Sequence, residues 1–293
     1  MRVKILLAYL SVFLIWGSTY LAIRVGVQEI SPALFAGLRF TVAGGILLLY
    51  GMLTRRPIPH SPREILTHAA IGAFLLVGGN GLVTWSEQWV HSGLAAVIIA
   101  TVPLFMSSLD SLIPGGKRLS LTGWIGILIG FGGVVVLVSP TLGLTTGEAI
   151  NPGGIVGLIV ASFFWSVGSL YSKRKAQGGD VFMSAALQML FGGLVLLGIA
   201  LSGSGITLAG VTSKGFLALL YLIVFGSIIG FTSYAYLLRH VPPAKASTYA
   251  YVNPVVAVLL GAFLLDEPLE LRTILATAVI LSGVAIVQKA RMH

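Results

Sequence analysis

Residues 5–24 read ILLAYLSVFLIWGSTYLAIR, twenty positions whose only charged residue is the last. A helix that crosses the hydrocarbon core of a membrane needs about 20 mostly apolar residues, so this segment has the length of one span. Segments of the same kind recur along the chain, in which only 9% of the 293 residues are charged. Ordinary soluble domains carry about 25% charged residues, and the mean hydropathy of this chain is +0.98. These properties exclude a soluble enzyme, a secreted domain and a disordered tail, and they indicate a polytopic membrane protein.

The sequence divides into ten apolar segments, separated by short loops that contain proline, glycine and charged residues. Backbone groups within lipid must be satisfied inside the segment, so spans of this length are predicted to be helices. The predicted fold is therefore an all-α polytopic membrane protein with ten transmembrane helices. The predicted spans are 5–24, 33–53, 65–86, 92–112, 121–139, 154–172, 181–201, 214–238, 244–265 and 271–288.

The basic residues indicate an orientation. When the N-terminus is placed in the cytoplasm, most of the 18 Lys and Arg residues lie in inner loops or at the two ends of the chain. The outer side then holds only Arg24, Lys214 and Arg272. Because cytoplasmic loops carry the excess of Lys and Arg, we expect a multi-pass membrane protein with both termini in the cytoplasm. The net charge of +9 then reflects topology, and no nucleic-acid partner is expected.

The chain also contains an internal repeat. At a shift of about 149 positions Trp16 falls on Trp165, and Gly44 falls on Gly193. Further matches continue in the same order across five predicted helices. The predicted organisation is a first repeat of helices 1–5 over residues 5–139, a linker over 140–153 and a second repeat of helices 6–10 over 154–288.

The two repeats are predicted to be inverted. Each has five spans, an odd number, so the second copy enters the membrane from the opposite side. The loop charges agree, because Lys117 and Arg118 follow helix 4, whereas Asp266 and Glu267 follow helix 9. Inverted repeats are a common plan of secondary transporters, with the substrate site near the midplane between the halves.

Helices 1 and 6 carry the first candidates for a substrate pathway. Trp16 and Trp165 lie too deep for an interfacial aromatic belt, and Thr19 and Tyr20 follow one turn later in helix 1. Two equivalent indoles could line a central cavity and offer apolar or cation–π contacts. Simple core packing is the alternative interpretation.

Arg39 is an ionisable residue within a span, and such a group must face the protein interior or water. One interpretation is a structural ion pair with an acidic residue, for which Glu87 is the natural candidate. The other is a guanidinium that binds a substrate carboxylate through two parallel hydrogen bonds. Its equivalent in the second repeat is Gln188, so the repeat symmetry breaks at this position.

Uncharged polar residues complete the predicted pathway. Asn80, Gln188 and Asn253 lie within spans, and Tyr249 and Asn253 belong to an unusually polar run that precedes Pro254 in helix 9. A polar, bent helix centre is where a transporter places its substrate site. Hydrogen bonds between helices are the alternative role for such side chains.

Three titratable residues near the ends of helices 3 and 4 are candidates for proton coupling: Glu87, His91 and Asp110. Burial would raise the pKa of a carboxyl group towards neutrality, which suits that role. The alternative is that they are interfacial side chains in water. Glu87 and His91 lack a third ligand for a metal, and the chain has no cysteine, so no metal and no cofactor are expected.

Four stretches resemble the EamA family of the drug/metabolite transporter superfamily. The first stretch resembles the opening of an EamA domain and reads WGSTYLAIRVGVQEISPALFAGLRF, residues 16–40. The second stretch resembles the opening of a second EamA copy and reads FFWSVGSLYSKR, residues 163–174. The third stretch resembles helix 9 of the family with its acidic turn and reads PPAKASTYAYVNPVVAVLLGAFLLDEPL, residues 242–269. The fourth stretch is closest to the YedA-like branch of the family and reads GNGLVTWSEQWVHSGLAAVIIATVPLF, residues 79–105.

The resemblance implies a ten-helix, inverted-repeat carrier of bacterial inner membranes, which often exports amino acids, other metabolites or toxic compounds. It implies a central cavity lined by helices 1, 3, 4, 6, 8 and 9. That set keeps Trp16, Asn80, Trp165, Tyr249 and Asn253 as lining candidates. It favours Arg39 less, because Arg39 lies on helix 2.

The predicted function is a secondary transporter that exports small metabolites, such as amino acids or drug-like compounds, by alternating access. The sequence has no P-loop or catalytic signature, so ion coupling, for instance to protons, or exchange must drive transport. The expected partners are a small-molecule substrate, the lipid bilayer and a coupling proton, with the chain a monomer or a homodimer. A non-transporting membrane sensor or scaffold is the alternative, and a membrane-embedded enzyme is a further one.

Overall fold

The computed structural model describes residues 2–116, 118–139, 151–176, 178–203 and 207–292. Over these residues the chain forms helices and connecting turns and no β-strand, which confirms the predicted all-α fold. In the described ranges nine helices are long and apolar enough to cross a membrane, and Tyr249–Leu265 is a shorter apolar helix. Residues 140–150 of the predicted linker lie outside the described residues, and the repeat boundaries stay predictions.

Ten helices correspond to the ten predicted spans. In chain order they are α1 (Arg2–Val27), α2 (Pro32–Leu53), α3 (Pro62–Ser86), α4 (Ser92–Leu112), α5 (Leu121–Val138), α6 (Pro152–Lys175), α7 (Val181–Ser202), α8 (Ser213–His240), α9 (Tyr249–Leu265) and α10 (Leu271–Met292).

Most helices extend a few residues beyond the predicted apolar runs, because their polar ends continue the helix past the hydrocarbon core. The last turn of α6 contains Lys173, Arg174 and Lys175, whose charges interact favourably with the helix C-terminus. The start of α9 differs from the prediction in the other direction. A short helix over Pro243–Ala246 ends in a turn, and α9 itself begins at Tyr249.

Two glutamates connect the repeats by capping helices of the other half. Glu267 accepts hydrogen bonds from the backbone N–H groups of Ser92 (2.8 Å) and Gly93 (3.1 Å) at the start of α4. Glu29 accepts from the Thr212 hydroxyl and backbone N–H, both at 2.7 Å, just before α8. These bonds lower the pKa of the Glu29 carboxyl. Each carboxylate thus satisfies backbone donors that the helix itself leaves free.

The repeats pack through equivalent helices. The most extensive contacts between helices are α2 with α7 and α5 with α10, and each pair joins corresponding members of the two repeats. Glycines allow the close approach. A Cβ on Gly44 would lie 2.8 Å from the backbone N of Leu190, and one on Gly193 would lie 2.5 Å from the backbone N of Thr41. Small residues serve this purpose at helix interfaces in membranes.

A π-helical segment interrupts the third helix of each repeat. One covers Ala73–Gly81 in α3 and the other covers Leu222–Phe231 in α8. At a shift of about 149 positions they coincide. Such segments occur often at functional sites. Both segments reach the middle of the molecule.

Candidate functional site

A cavity lies between the repeats. Helices α1–α4 contribute one wall, and α6, α8 and α9 contribute the other. The cavity contains seven of the nine predicted pathway residues: Trp16, Thr19, Tyr20, Arg39, Asn80, Trp165 and Tyr249. The other lining residues are Ile23, Phe40, Gly79, Val83, Ile99, Val102, Ala161, Gly226 and Phe231.

Four aromatic rings form one cluster at this cavity: Trp16, Trp165, Tyr234 and Tyr249. The ring centroids of Trp16 and Trp165 are 5.4 Å apart, and those of Trp16 and Tyr249 are 5.2 Å apart, both pairs edge to face. Tyr234 lies 5.1 Å from Trp16 and 5.3 Å from Trp165. These separations are in the range in which aromatic pairs attract each other. The equivalent tryptophans of the two repeats therefore meet directly.

Hydrogen bonds fix both indole rings. Trp16 Nε1 donates to the backbone carbonyl of Gly226 at 3.2 Å, in the π-helical segment of α8. Trp165 Nε1 donates to Tyr234 Oη at 3.2 Å, and the Tyr234 hydroxyl also bonds to Ser169 Oγ at 2.7 Å. Buried Trp and Tyr polar groups require such partners. The rings thus present apolar surface to the cavity with their polar groups satisfied by protein.

Arg39 is buried and lines the cavity. Its Nε donates to Ser227 Oγ at 2.8 Å, and its guanidinium carbon lies 4.7 Å from the centre of the Phe40 ring. Among the described residues no carboxylate forms an ion pair with Arg39. The structure therefore does not place Arg39 and Glu87 in the ion pair that one interpretation required.

The two other predicted pathway residues lie outside the cavity lining. Gln188 is buried against His68, with 3.3 Å between Nε2 and Nδ1. Asn253 is buried too, and its amide nitrogen, in the orientation that suits its surroundings, donates to the carbonyls of Phe13 and Tyr249. Both make the hydrogen bonds between helices that were the alternative role. Their part in transport stays a prediction.

Glu87 lies in the turn between α3 and α4 and is fully buried, rather than in interfacial water. Neither carboxylate oxygen has a hydrogen-bond partner in the described part of the chain. Arg24 Nη1 donates to the backbone carbonyl of Glu87 instead. Burial raises the pKa of the Glu87 carboxyl well above its usual value, Glu267 adds to the increase, and Arg24 and Arg39 oppose it. A carboxyl in this environment binds a proton readily.

The other two titratable candidates have charged neighbours. His91 Nδ1 lies 3.8 Å from Glu267 Oε1, and an Asp110 carboxylate oxygen lies 3.7 Å from Arg174 Nη2. Both side chains are partly exposed. No group of three potential metal ligands occurs in the ranges that the structure describes.

Sequence reasoning missed Tyr234, Ser227 and Gly226. Tyr234 is the repeat equivalent of Trp85, but it is fully buried in the aromatic cluster, whereas Trp85 is 40% exposed. Helix 8 was already among the lining helices that the family resemblance implied. Ser227 and Gly226 were not predicted to line the site, because a serine and a glycine in an apolar span are typical of helix packing.

Comparisons with known proteins agree with this architecture. The EamA-like transporter family matches residues 3–139 and 152–288, that is, each half of the chain. A relative from Escherichia coli K12, named "Uncharacterized inner membrane transporter YedA", is 43% identical over 96% of this chain and 89% of its own length. "Uncharacterized transporter YoaV" of Bacillus subtilis is 24% identical over 96% of both chains.

A crystal structure with 20% sequence identity shares the fold, with a TM-score of 0.71 over 100% of this chain and 99% of the other. The family match, the names of the relatives and the apolar helices identify a multi-pass transporter of the inner membrane, not an enzyme. The chain, built from two repeats that both match, therefore belongs to the EamA-like transporter family.

Proposed function

We propose that this protein is a secondary transporter that exports small metabolites or drug-like compounds by alternating access through the central cavity. Both termini lie in the cytoplasm, and Glu87 binds a coupling proton. The observation that carries the proposal is the cavity itself, which both repeats line with equivalent tryptophans, Trp16 and Trp165. A site on the axis between inverted repeats can open to either side with nearly the same contacts, because each half can adopt the conformation of the other.

We infer the energy source from the sequence. It has no nucleotide-binding motif, so an ion gradient or exchange of substrates must drive transport. Glu87 is a suitable proton carrier because its buried carboxyl lacks a hydrogen-bond partner among the described residues. Export as opposed to import rests on the family resemblance.

The absence of cysteine makes alternating access directly testable. Thr19→Cys and Ala161→Cys each place one thiol in the cavity, on α1 and α6. In sealed right-side-out and inside-out vesicles, a membrane-impermeant maleimide should label both variants from either side. Leu128→Cys is the matched control, because Leu128 is 72% exposed on the outside of the bundle and its thiol should lie in lipid. Labelling of both cavity thiols from one side alone would contradict alternating access.

The orientation has its own test. Arg118 and Lys214 are exposed, and they lie on opposite sides of the proposed topology. Arg118→Cys should react only from the cytoplasmic side, and Lys214→Cys only from the outer side. If both thiols react from the same side, the inverted arrangement is wrong.

A further inference from the structure

We infer that the cavity binds a small organic anion, a carboxylate with an apolar or aromatic body, and that the Arg39 guanidinium is the group that binds the carboxylate. The inference rests on the proposed function, because it names the substrate class of the same cavity.

The charge of the cavity favours an anion. Arg39 is the single formally charged residue of the described lining, which contains no acidic side chain. A buried charge is unfavourable unless it is paired. In the parts of the chain that are described, the side-chain contacts of Arg39 are the neutral Ser227 hydroxyl and the Phe40 ring. Glu87 acts on Arg39 electrostatically but forms no ion pair with it. A bound anion would supply a counter-charge in direct contact with the guanidinium.

The geometry of Arg39 suits a carboxylate. Its Nε–H is used by Ser227, which leaves the N–H groups of Nη1 and Nη2, and these can form two parallel bonds to the oxygens of one carboxylate. The Phe40 ring below the guanidinium restricts its orientation. Gly226 makes room for the group, because a Cβ there would lie only 2.7 Å from Nη2. The Arg39 guanidinium is therefore held in place before the ligand binds.

The side chains around the Arg39 guanidinium indicate the chemistry of the rest of the ligand. The carbonyl of Gly226 accepts the indole N–H of Trp16, so the anion site and the aromatic cluster adjoin each other at this residue. Trp16, Trp165 and Tyr249 face the cavity with their rings, and Asn80 supplies one neutral amide. An apolar or aromatic body would rest on these rings while its carboxylate reaches Arg39. A lipophilic cation meets no acidic group there and is repelled by Arg39.

Three ligands of similar shape test the inference: phenylacetate, phenylacetamide and phenethylammonium. The measurement is the thermal unfolding of the full-length protein in detergent over a series of concentrations, since a ligand of the folded state raises its midpoint. Phenylacetate should stabilise the protein, and the amide and the ammonium ion should not. Arg39→Gln should weaken phenylacetate binding about 10- to 100-fold, the factor expected when a charged donor is lost. Arg118→Gln removes an equal charge outside the cavity and should change nothing.

A second variant covers the case in which Arg39→Gln fails to fold. Gly226→Ala displaces the guanidinium without changing the charge, and it should weaken phenylacetate binding as well. Stabilisation by phenethylammonium as strong as by phenylacetate would overturn the inference. So would the absence of stabilisation by phenylacetate and by carboxylates with indolyl and branched alkyl bodies. Either result leaves the proposed function intact if the cavity cysteines are labelled from both sides, so the two failures are distinguishable.

Discussion

Arg39 and Gln188 occupy equivalent positions in the two repeats, yet their environments differ. Arg39 on α2 lines the cavity, with its Nε bonded to Ser227. Gln188 on α7 lies outside the cavity and is bonded to His68. The helices that carry them pack against each other along their length. The scaffold is therefore symmetric, while the charge that faces the cavity comes from one repeat only.

This difference separates two requirements of a transporter. Under the proposed function, alternating access needs two halves that can exchange conformations, and the closely packed glycines and the paired tryptophans are the candidates for that role. Recognition of an asymmetric molecule needs an asymmetric site, and Arg39 is the residue proposed for it. The following predictions test which residues the two halves need to exchange conformations and which residues recognise the ligand.

The largest effect is expected at the symmetric tryptophans. Trp165→Ala should severely reduce the flux of phenylacetate, the carboxylate expected to stabilise the protein, in proteoliposomes. It should also lower the free energy of unfolding by about 3–5 kcal/mol, the usual effect of truncating a buried Trp, while membrane insertion is retained. Trp124→Ala, at a side chain 39% exposed on α5, is the control and should have little effect. Full flux in Trp165→Ala would remove this residue from the pathway.

Closely packed glycines between α2 and α7 should come next. A Cβ on Gly44 would lie 2.8–2.9 Å from backbone atoms of Leu190 and Ala186, whereas one on Gly45 would meet nothing within 4 Å. Gly44→Ala should therefore destabilise the protein by about 1–3 kcal/mol through overpacking, and Gly45→Ala should not. Equal unfolding midpoints for the two variants would show that the repeats do not pack as closely as described.

Substitution of Gln188 addresses the asymmetry. Gln188→Leu should lower the free energy of unfolding by about 1–3 kcal/mol, because the buried His68 ring loses its partner. Its affinity for phenylacetate should stay that of the wild type, in contrast to Arg39→Gln. Calorimetric titration of the purified variants measures both. A similar loss of affinity in the two variants would assign the anion to both repeats.

The last prediction is a dependence of stability on pH. The pKa of Glu87 is raised in the folded protein by burial and by Glu267, against Arg24 and Arg39, and Tyr20 is a further neighbour. The folded state then binds the proton more tightly than the unfolded state. The free energy of unfolding should therefore fall as the pH rises above about 4.3, the ordinary value for Glu, by about 1.4 kcal/mol per unit of pKa difference. The decline ends once the pH exceeds the raised pKa.

Glu87→Gln should remove this decline, and Glu64→Gln, at an exposed glutamate, should leave it unchanged. Transport that is insensitive to pH and survives Glu87→Gln would exclude Glu87 as the coupling group. If the variant loses the pH dependence of stability but retains that of transport, the coupling proton binds elsewhere.

Much of the fold was accessible from the sequence. The predicted fold class and family are confirmed, because the length and apolarity of a span are local properties that hydrocarbon thickness selects. The start of α9 was predicted too early, since the polar run at Ser247 and Thr248 ends the preceding short helix in a turn. Hydropathy alone does not detect such a turn.

The site was less accessible. Deep tryptophans and polar residues on α1, α3, α6 and α9 pointed to the cavity, and seven of nine candidates line it. Gln188 and Asn253 do not, because their hydrogen-bond partners lie on other helices. Tyr234 was missed for the same reason, since its burial depends on rings contributed by α1, α6 and α9.

The sequence by itself determined that this chain is a membrane protein of two related halves, because each span and each repeat match is written in consecutive residues. Only the tertiary structure decided that Arg39 faces a cavity without an acidic neighbour in its described lining, and that Glu87 is buried without a partner among the described residues. Both properties depend on packing between helices distant in sequence. The energy of a charged group depends on those surroundings rather than on its own segment.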